Sequence, residues 1–283
     1  MTRLVTFLTD FGTDDVFVGL CHAVLARLAP EARVVDLTHA IPPQDVEKGA
    51  LVLADAVTYA PGAVHLAVVD PGVGTERRGL AVRAGVGDRE ALLVGPDNGL
   101  LLPAADRLGG VTRAVALTSE AHRLPEVSAT FHGRDVFAPA AGHLASGGEL
   151  EELGPPVETG ELVRLELPKP ESRDGWLRVC VRDIDRFGNV QLWARPDDLE
   201  LTAQGEPESG SEHITLSWRG ALAALPYDTT FATLPDEGLG LLADSFGWLA
   251  VVVRGDSAAE RLGLVRGDHL SLRRDGTSAE RQP

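Results

Sequence analysis

The 283-residue chain has little of what a disulfide scaffold, a zinc module or a nucleic-acid binder needs: two cysteines, two lysines and one methionine, with aromatic residues at 5%. Cys21 lies in an apolar helix-like run and Cys180 in a strand-like one, with no CxxC spacing. Two buried free thiols are expected. Eight histidines are present, but none occurs in an HxxxH or HExxH spacing that would put two ligands on one helix face. No structural metal and no cofactor are therefore expected. No apolar run approaches the ~20 residues of a membrane-spanning helix. The start, MTRLVTFLTDFG, lacks the charged-then-apolar layout of a signal peptide, so the expected compartment is the cytoplasm, away from the membrane. Acidic residues outnumber basic ones 42 to 26, giving a net charge of −16, and the basic residues are almost all arginine. That balance argues against a nucleic-acid partner. Gly72 and Gly74 do not complete a GxGxxG dinucleotide fingerprint, and Asp-Phe-Gly at Asp10 has no upstream glycine-rich loop of the kinase kind.

What is present suits a soluble enzyme. With 44% hydrophobic residues the chain can bury a large core, at a length where single cores begin to split into two. Strands at Leu4 to Leu8, Val34 to Leu37, His65 to Val69, Gly79 to Val82 and Ala91 to Val94 alternate with helices. These helices run through Val18, Leu25 and Leu28, from near Asp45, after Asn98, and from about Asp135 to Ala145. Asp14 or Asp15 can cap the first of them. The alternation predicts an α/β domain over residues 1–154, with a mainly parallel sheet and helices on both faces. Gly, Pro, Glu and Ser then cluster over 155–175, which reads as a linker. Short strand candidates follow at Leu177 to Ile184, Ile214 to Trp218, Leu239 to Ala243 and Trp248 to Val253. They predict a small β-barrel or sandwich over 176–272, before a polar tail at 273–283.

Two segments carry the chemistry. In VVDPGVGTERR, Val68 to Arg78, Asp70 stands at the carboxyl end of a buried strand, where open α/β sheets place their ligands. The Pro-Gly turn after it folds Arg77 back towards that end. In FHGRDVFAP, Phe131 to Pro139, His132 opens a helix. A carboxylate, a guanidinium and an imidazole brought together point to an enzyme, although each alone is more often a turn, cap or surface residue. In TDFGTDD, Asp10 follows the first strand, and a carboxylate there can accept both hydroxyls of a ribose diol. In DRFGN, Asp185, Phe187 and Asn189 share one tight turn: the carboxylate can hold an ammonium group, the ring can stack, and the amide can read an adenine edge.

Together with VVDLTHAIPPQDVEKGA, GPDNGLL, GWLAVVV and SAAERLGL, these motifs resemble the S-adenosylmethionine hydroxide adenosyltransferases, or S-adenosylmethionine hydrolases (adenosine-forming), whose relatives are the 5′-fluorinases and 5′-chlorinases. The resemblance covers most of the chain. It implies a Rossmann-like α/β domain followed by a small β-barrel domain. It also implies a homotrimer with active sites between the N-terminal domain of one subunit and the C-terminal domain of the next. The implied reaction is attack of water on C5′ of S-adenosylmethionine, giving adenosine and L-methionine. Asp70, Arg77 and His132 fall on the family's catalytic positions. Asp10 matches the ribose-diol carboxylate, and Asp185 and Ser245 match the methionine-end contacts. Asn189, with backbone near Arg254 and Gly255, matches the adenine contacts, and Phe187 and Phe231 line the pocket.

Two other readings share that pocket. A chlorinase-like 5′-halogenase must desolvate a halide and has no use for a water-activating triad; a non-catalytic S-adenosylmethionine or adenosine binder does not need all three residues. Retention of Asp70, Arg77 and His132, and the short segment between Arg78 and Ala91, favour hydrolysis. The chain departs from the relatives at Phe246, where halogenases carry an arginine, at Gln44, where they carry a tryptophan, and at Arg254, where the hydrolases carry a small polar residue.

Overall fold

The computed structural model describes residues 4–201 and 213–275. The chain divides into two compact units, Met1–Glu166 and Leu167–Pro283.

In the first unit the elements run β1 (Leu4–Thr9), α1 (Phe17–Leu28), β2 (Arg33–Thr38), α2 (Val46–Ala56), β3 (Val64–Val68), β4 (Gly79–Ala84), β5 (Ala91–Pro96), α3 (Leu102–Leu108), β6 (Val111–Ala116) and α4 (Ala138–Ala145). The sheet order is β2-β1-β3-β5-β4-β6. The first four strands in that order pair in parallel, as the alternation predicts, whereas β4 lies antiparallel to both β5 and β6. The reversal has a simple cause. The six residues between Ala84 and Ala91 are too few for the helical crossover that a parallel pair requires, but they suffice for a hairpin.

Both faces of the central strands are covered, so β1, β3 and β5 read as nearly continuous apolar runs. Phe7, Leu66 and Val94 pack against Cys21 and Leu25 of α1 and Leu144 of α4, and Leu8, Val69 and Leu93 pack with Leu53 of α2 and Ala105 of α3. Gly49 allows α2 its close approach, because a Cβ there would lie 2.9 Å from side-chain atoms of Leu100 and Val69. Asp45 caps α2 by accepting from the Lys48 amide at 2.9 Å. Neither Asp14 nor Asp15 caps α1; the N-cap is Val16, without a side-chain bond, and both carboxylates stay in water, where their solvation is already good. Residues 155–166 pack along this unit: the Val157 amide donates to Ala114, the Val163 amide donates to Asp97, and Leu162 is buried.

The second unit runs β7 (Glu171–Arg173), β8 (Trp176–Ile184), β9 (Val190–Leu192), β10 (His213–Trp218), β11 (Ala221–Pro226), β12 (Leu239–Ala243), β13 (Leu249–Val253), α5 (Ala258–Leu262) and β14 (His269–Arg274). Its antiparallel order is β11-β10-β14-β8-β9-β13-β12, with β7 paired to β8, and a bridge from Tyr227 to Leu241 brings the two ends towards closure. The result is a nearly closed barrel filled by alternating side chains such as Val179, Val181, Leu216, Val251 and Leu272. Strand β14 takes in Arg273 and Arg274 of the segment read as a tail, the Asp275 amide donates to His213 O, and residues 276–283 lie outside the described residues. Cys21 and Cys180 are both buried, and burial pushes the Cys21 thiol up to about 12. Among the described residues no helix is long and apolar enough to cross a membrane.

His65 gives the fold a measurable pH dependence. It is fully buried in β3, with Nδ1 2.7 Å from Thr6 Oγ1 on β1, and burial lowers its pKa from 6.5 to about 4. The folded state resists protonation there, so the stability contribution is complete above 6.5 and is lost as pH falls towards 4. At 1.36 kcal/mol per pH unit the full loss is about 3 kcal/mol. Urea unfolding from pH 7 to pH 4 is expected to show this slope in the wild type and a shallower one in His65→Leu; equal slopes would remove His65 as the cause.

Candidate active site

The carboxyl ends of β1 and β3, which are neighbours with Thr9 opposite Val68, carry the first unit's polar groups. Asp70 follows β3. The turn after it is held by bonds from the Val73 amide to Asp70 O and from the Thr75 amide and hydroxyl to Gly72 O. Gly74 is required there: its φ is +77°, and a Cβ would fall 2.3 Å from the carbonyl oxygen of Ala129. The turn is thereby pressed against the strap that leads to His132.

Arg77 returns from this turn and grips both partners. Its Nε donates to Asp70 Oδ1 at 3.0 Å, one Nη donates to the other carboxylate oxygen, and the same Nη lies 3.1 Å from His132 Nδ1. The guanidinium also sits over the Phe137 ring at 5.3 Å. Asp70 and Arg77 side chains are only 5% and 9% exposed. His132 immediately precedes a π-helical turn, Gly133–Phe137, of the kind that often marks functional sites. Buried Asp135 anchors that turn by accepting from the Ser128 amide and from Arg134.

The electrostatics follow from burial. Desolvation raises the Asp70 pKa above its ordinary 3.8, against the pull of Arg77. Burial, reinforced by the Arg77 charge, lowers that of His132 below 6.5. A guanidinium can only donate, so His132 must offer the Nδ1 lone pair and carry its proton at Nε2. The chemical capacity is a buried carboxylate acceptor and an imidazole donor held on one permanent cation. Asp10, at the end of β1, accepts from the Gln44 amide at 2.8 Å.

The second unit holds a cavity of about 880 Å³, and its walls include Asp185, Phe187, Asn189, Phe231, Ser245 and Gly255. Six of the expected binding residues thus meet in one place. Arg254 is not among the lining residues; its guanidinium pairs with Asp236 Oδ1 at 2.8 Å. Phe187 is 77% exposed, an apolar ring that the described residues leave largely uncovered. The Asp185 carboxylate is largely taken up by its own turn, accepting from the Phe187 and Asn189 amides and from Asn189 Nδ2.

Comparison with known proteins decides the family. The N-terminal domain model of the SAM hydroxide adenosyltransferases matches residues 5–154 and the C-terminal domain model matches residues 179–271. The chain belongs to the SAM hydroxide adenosyltransferase family. It is 50% identical to a protein of Salinispora arenicola named (R)-S-adenosyl-L-methionine hydrolase, over 96% of this chain and 98% of that one. A protein of the same name from Thermus thermophilus is 42% identical, over 95% and 99%. A fluorinase of an Actinoplanes species is 30% identical, over 88% and 90%. A solved structure of an uncharacterized conserved protein from Thermotoga maritima superposes with a TM-score of 0.86 at 31% identity, covering 95% of this chain and all of that one.

Within this adenosyltransferase frame, the cavity also shows what motif reading missed. Asp244-Ser-Phe-Gly repeats the pattern of Asp185-Arg-Phe-Gly, and both carboxylates accept from the amides two and four residues on. Gln191 joins the two turns by donating from Nε2 to Asp244 Oδ2 at 2.8 Å. The DxFG spacing was the signal that could have found the second turn. For the triad, an NMR pH titration is expected to place the His132 midpoint below 6.5 and to move it up in Arg77→Gln, which removes a lowering charge. A midpoint unmoved by that substitution would contradict the contact.

Proposed function

We propose that the protein hydrolyses S-adenosyl-L-methionine to adenosine and L-methionine, by attack of water on C5′. The observation that carries this reading is the buried Asp70–Arg77–His132 set, in a chain similar over nearly its whole length to proteins named (R)-S-adenosyl-L-methionine hydrolase.

The sulfonium is already a good leaving group, so the chemistry needs an aligned oxygen behind C5′ and little bulk water. The new bond joins that oxygen to C5′ while the C5′–S bond breaks, its electron pair leaving with the neutral thioether of methionine. Arg77 occupies His132 Nδ1, so His132 acts as a donor from Nε2 that fixes the direction of the water. Asp70 then takes the proton, and its raised pKa makes it a better base than an ordinary aspartate. Arg77 sets the register of both and stabilises the hydroxide-like oxygen. Asp10 holds the ribose diol. Asp185 and Ser245 face the methionine end, and Asn189, with the backbone at Arg254 and Gly255, reads adenine. Phe187 and Phe231 enclose the nucleoside. Because the Arg254 guanidinium pairs with Asp236, only its backbone enters this scheme.

The triad and the cavity lie on different units of the chain. Their union in a homotrimer, with sites shared between neighbouring chains, is part of the proposal. So are a cytoplasmic location, which suits two buried cysteines without a CxxC spacing, and independence from nucleic acid and cofactor.

Incubation of purified protein with each sulfonium epimer of S-adenosylmethionine, in chloride-free buffer and then with halide, tests the reaction by chromatography with mass detection. Adenosine and methionine in both buffers are expected. A 5′-halogenated nucleoside would move the reading to the halogenases, and a bound but unchanged ligand to a sensor. Arg77→Ala and His132→Ala are each expected to lose about a hundredfold or more in turnover while keeping adenosine binding; unchanged turnover would remove the triad. Light scattering is expected to give three chains per particle.

A further inference from the structure

Three side chains outside this site converge where α1 passes over the edge strand β2. His22 comes from α1, Asp36 from β2, and His39 from just beyond the strand's end. His22 Nε2 lies 2.9 and 3.2 Å from the two Asp36 oxygens, and His39 Nε2 lies 3.2 Å from Oδ1. One ligand atom from each of the three falls within 4.8 Å of the others. The His22–Asp36 contact is an ordinary hydrogen bond, but His39 is different. It is 94% buried, and among the described residues its Nε2 has no hydrogen-bond partner, because the contact with Asp36 is close but misaligned. A buried imidazole nitrogen left in that state calls for another partner.

We propose that His22, Asp36 and His39 bind one divalent transition-metal ion of the zinc class, through Nε2 of each imidazole and a carboxylate oxygen.

The donor set is the borderline nitrogen and oxygen combination that zinc and its neighbours favour. Around zinc at bonds of ~2.05 Å, the edges of a tetrahedron are about 3.3 Å long. The two Asp36 edges, at 2.9 and 3.2 Å, already fit, and only the His22–His39 edge has to close. Closure is easy on the His22 side, because that side chain is 35% exposed and exposed side chains change rotamer readily. The exposure of His22 and Asp36 also gives an ion a route in and leaves the fourth position to water. His39 has the supporting contact of a metal ligand: its Nδ1 is 2.8 Å from Thr9 Oγ1, and in the tautomer that donates there, the Nε2 lone pair is free for the ion.

The consequence reaches the Asp10 loop. Thr9 Oγ1 also accepts from the Phe11 amide, and the Gly12 amide donates to His39 O at 2.8 Å, so His39 brackets Asp10 on both sides. An ion held by His39 would clamp α1 and β2 to this loop. The sequence offered no HxxxH pair because the ligands come from three elements; Asp36-Leu-Thr-His39 across a strand end is the trace that it did leave.

The test uses the untagged full-length chain, stripped with EDTA and dialysed. Titration with Co²⁺ is read by visible absorption, Zn²⁺ affinity by competition with a chromophoric chelator, and stability by the thermal midpoint with and without Zn²⁺. The expected result is one ion per chain, a tetrahedral Co²⁺ spectrum, and a midpoint raised by Zn²⁺. His22→Ala and Asp36→Asn, both at partly exposed positions, should lose the spectrum and bind Zn²⁺ at least about tenfold more weakly, with metal-free midpoints close to wild type. His269→Ala, at an exposed histidine of β14 in the other unit, should change nothing. Absence of stoichiometric binding, or binding that survives in both His22→Ala and Asp36→Asn, overturns the proposal.

Discussion

Arg77 carries a charge that no physiological pH removes, and it is held in a place with little water. Such a charge is tolerable only with its partners in position, and removal of one partner from a buried pair is far more damaging than the pair's net contribution suggests. Asp70 supplies the counter-charge, His132 a lone pair, and Phe137 the face of a ring. The surrounding backbone serves that arrangement. The Asp70–Thr75 turn, the glycine at 74 pressed on Ala129, and the π-helical turn after His132 fix three side chains from separate stretches of chain. The same setting bears on protonation: burial first and the Arg77 charge second hold the His132 pKa below its ordinary value, and in the proposed reaction Asp70 is left as the base.

The second unit solves a different problem with repeated means. Two DxFG turns, at Asp185 and Asp244, spend their carboxylates on their own backbone amides, and Gln191 ties one to the other. The turns therefore keep a fixed shape around an open cavity, the pre-organisation that lowers the cost of ordering a ligand. An exposed Phe187 at the rim is unfavourable in water but suited to a purine face.

Much of this was legible in the sequence because the relevant signals were local. Apolar runs such as Val64–Val68 and Leu249–Val253 announce strands, and polar residues just beyond strand ends announce a site in an α/β sheet. Short or mixed strands were not legible. Val190–Leu192 has three residues, Val111–Ala116 carries an arginine among its apolar residues, and His269–Arg274 runs into the polar tail. Their pairing is set by neighbours distant in the chain. The same holds for side chains: the spending of Asp185 on its own turn, the capture of Arg254 by Asp236, and the meeting of His22, Asp36 and His39 depend on contacts that no spacing encodes.

The central claim is that water, directed by the Asp70–Arg77–His132 set, forms its new bond at C5′. Turnover of S-adenosylmethionine in ¹⁸O-enriched water, with mass analysis of both products, tests it directly. The account predicts one ¹⁸O in the 5′-hydroxyl of adenosine and none in methionine. Unlabelled adenosine, or label in an amino-acid product beside methylthioadenosine, would contradict it.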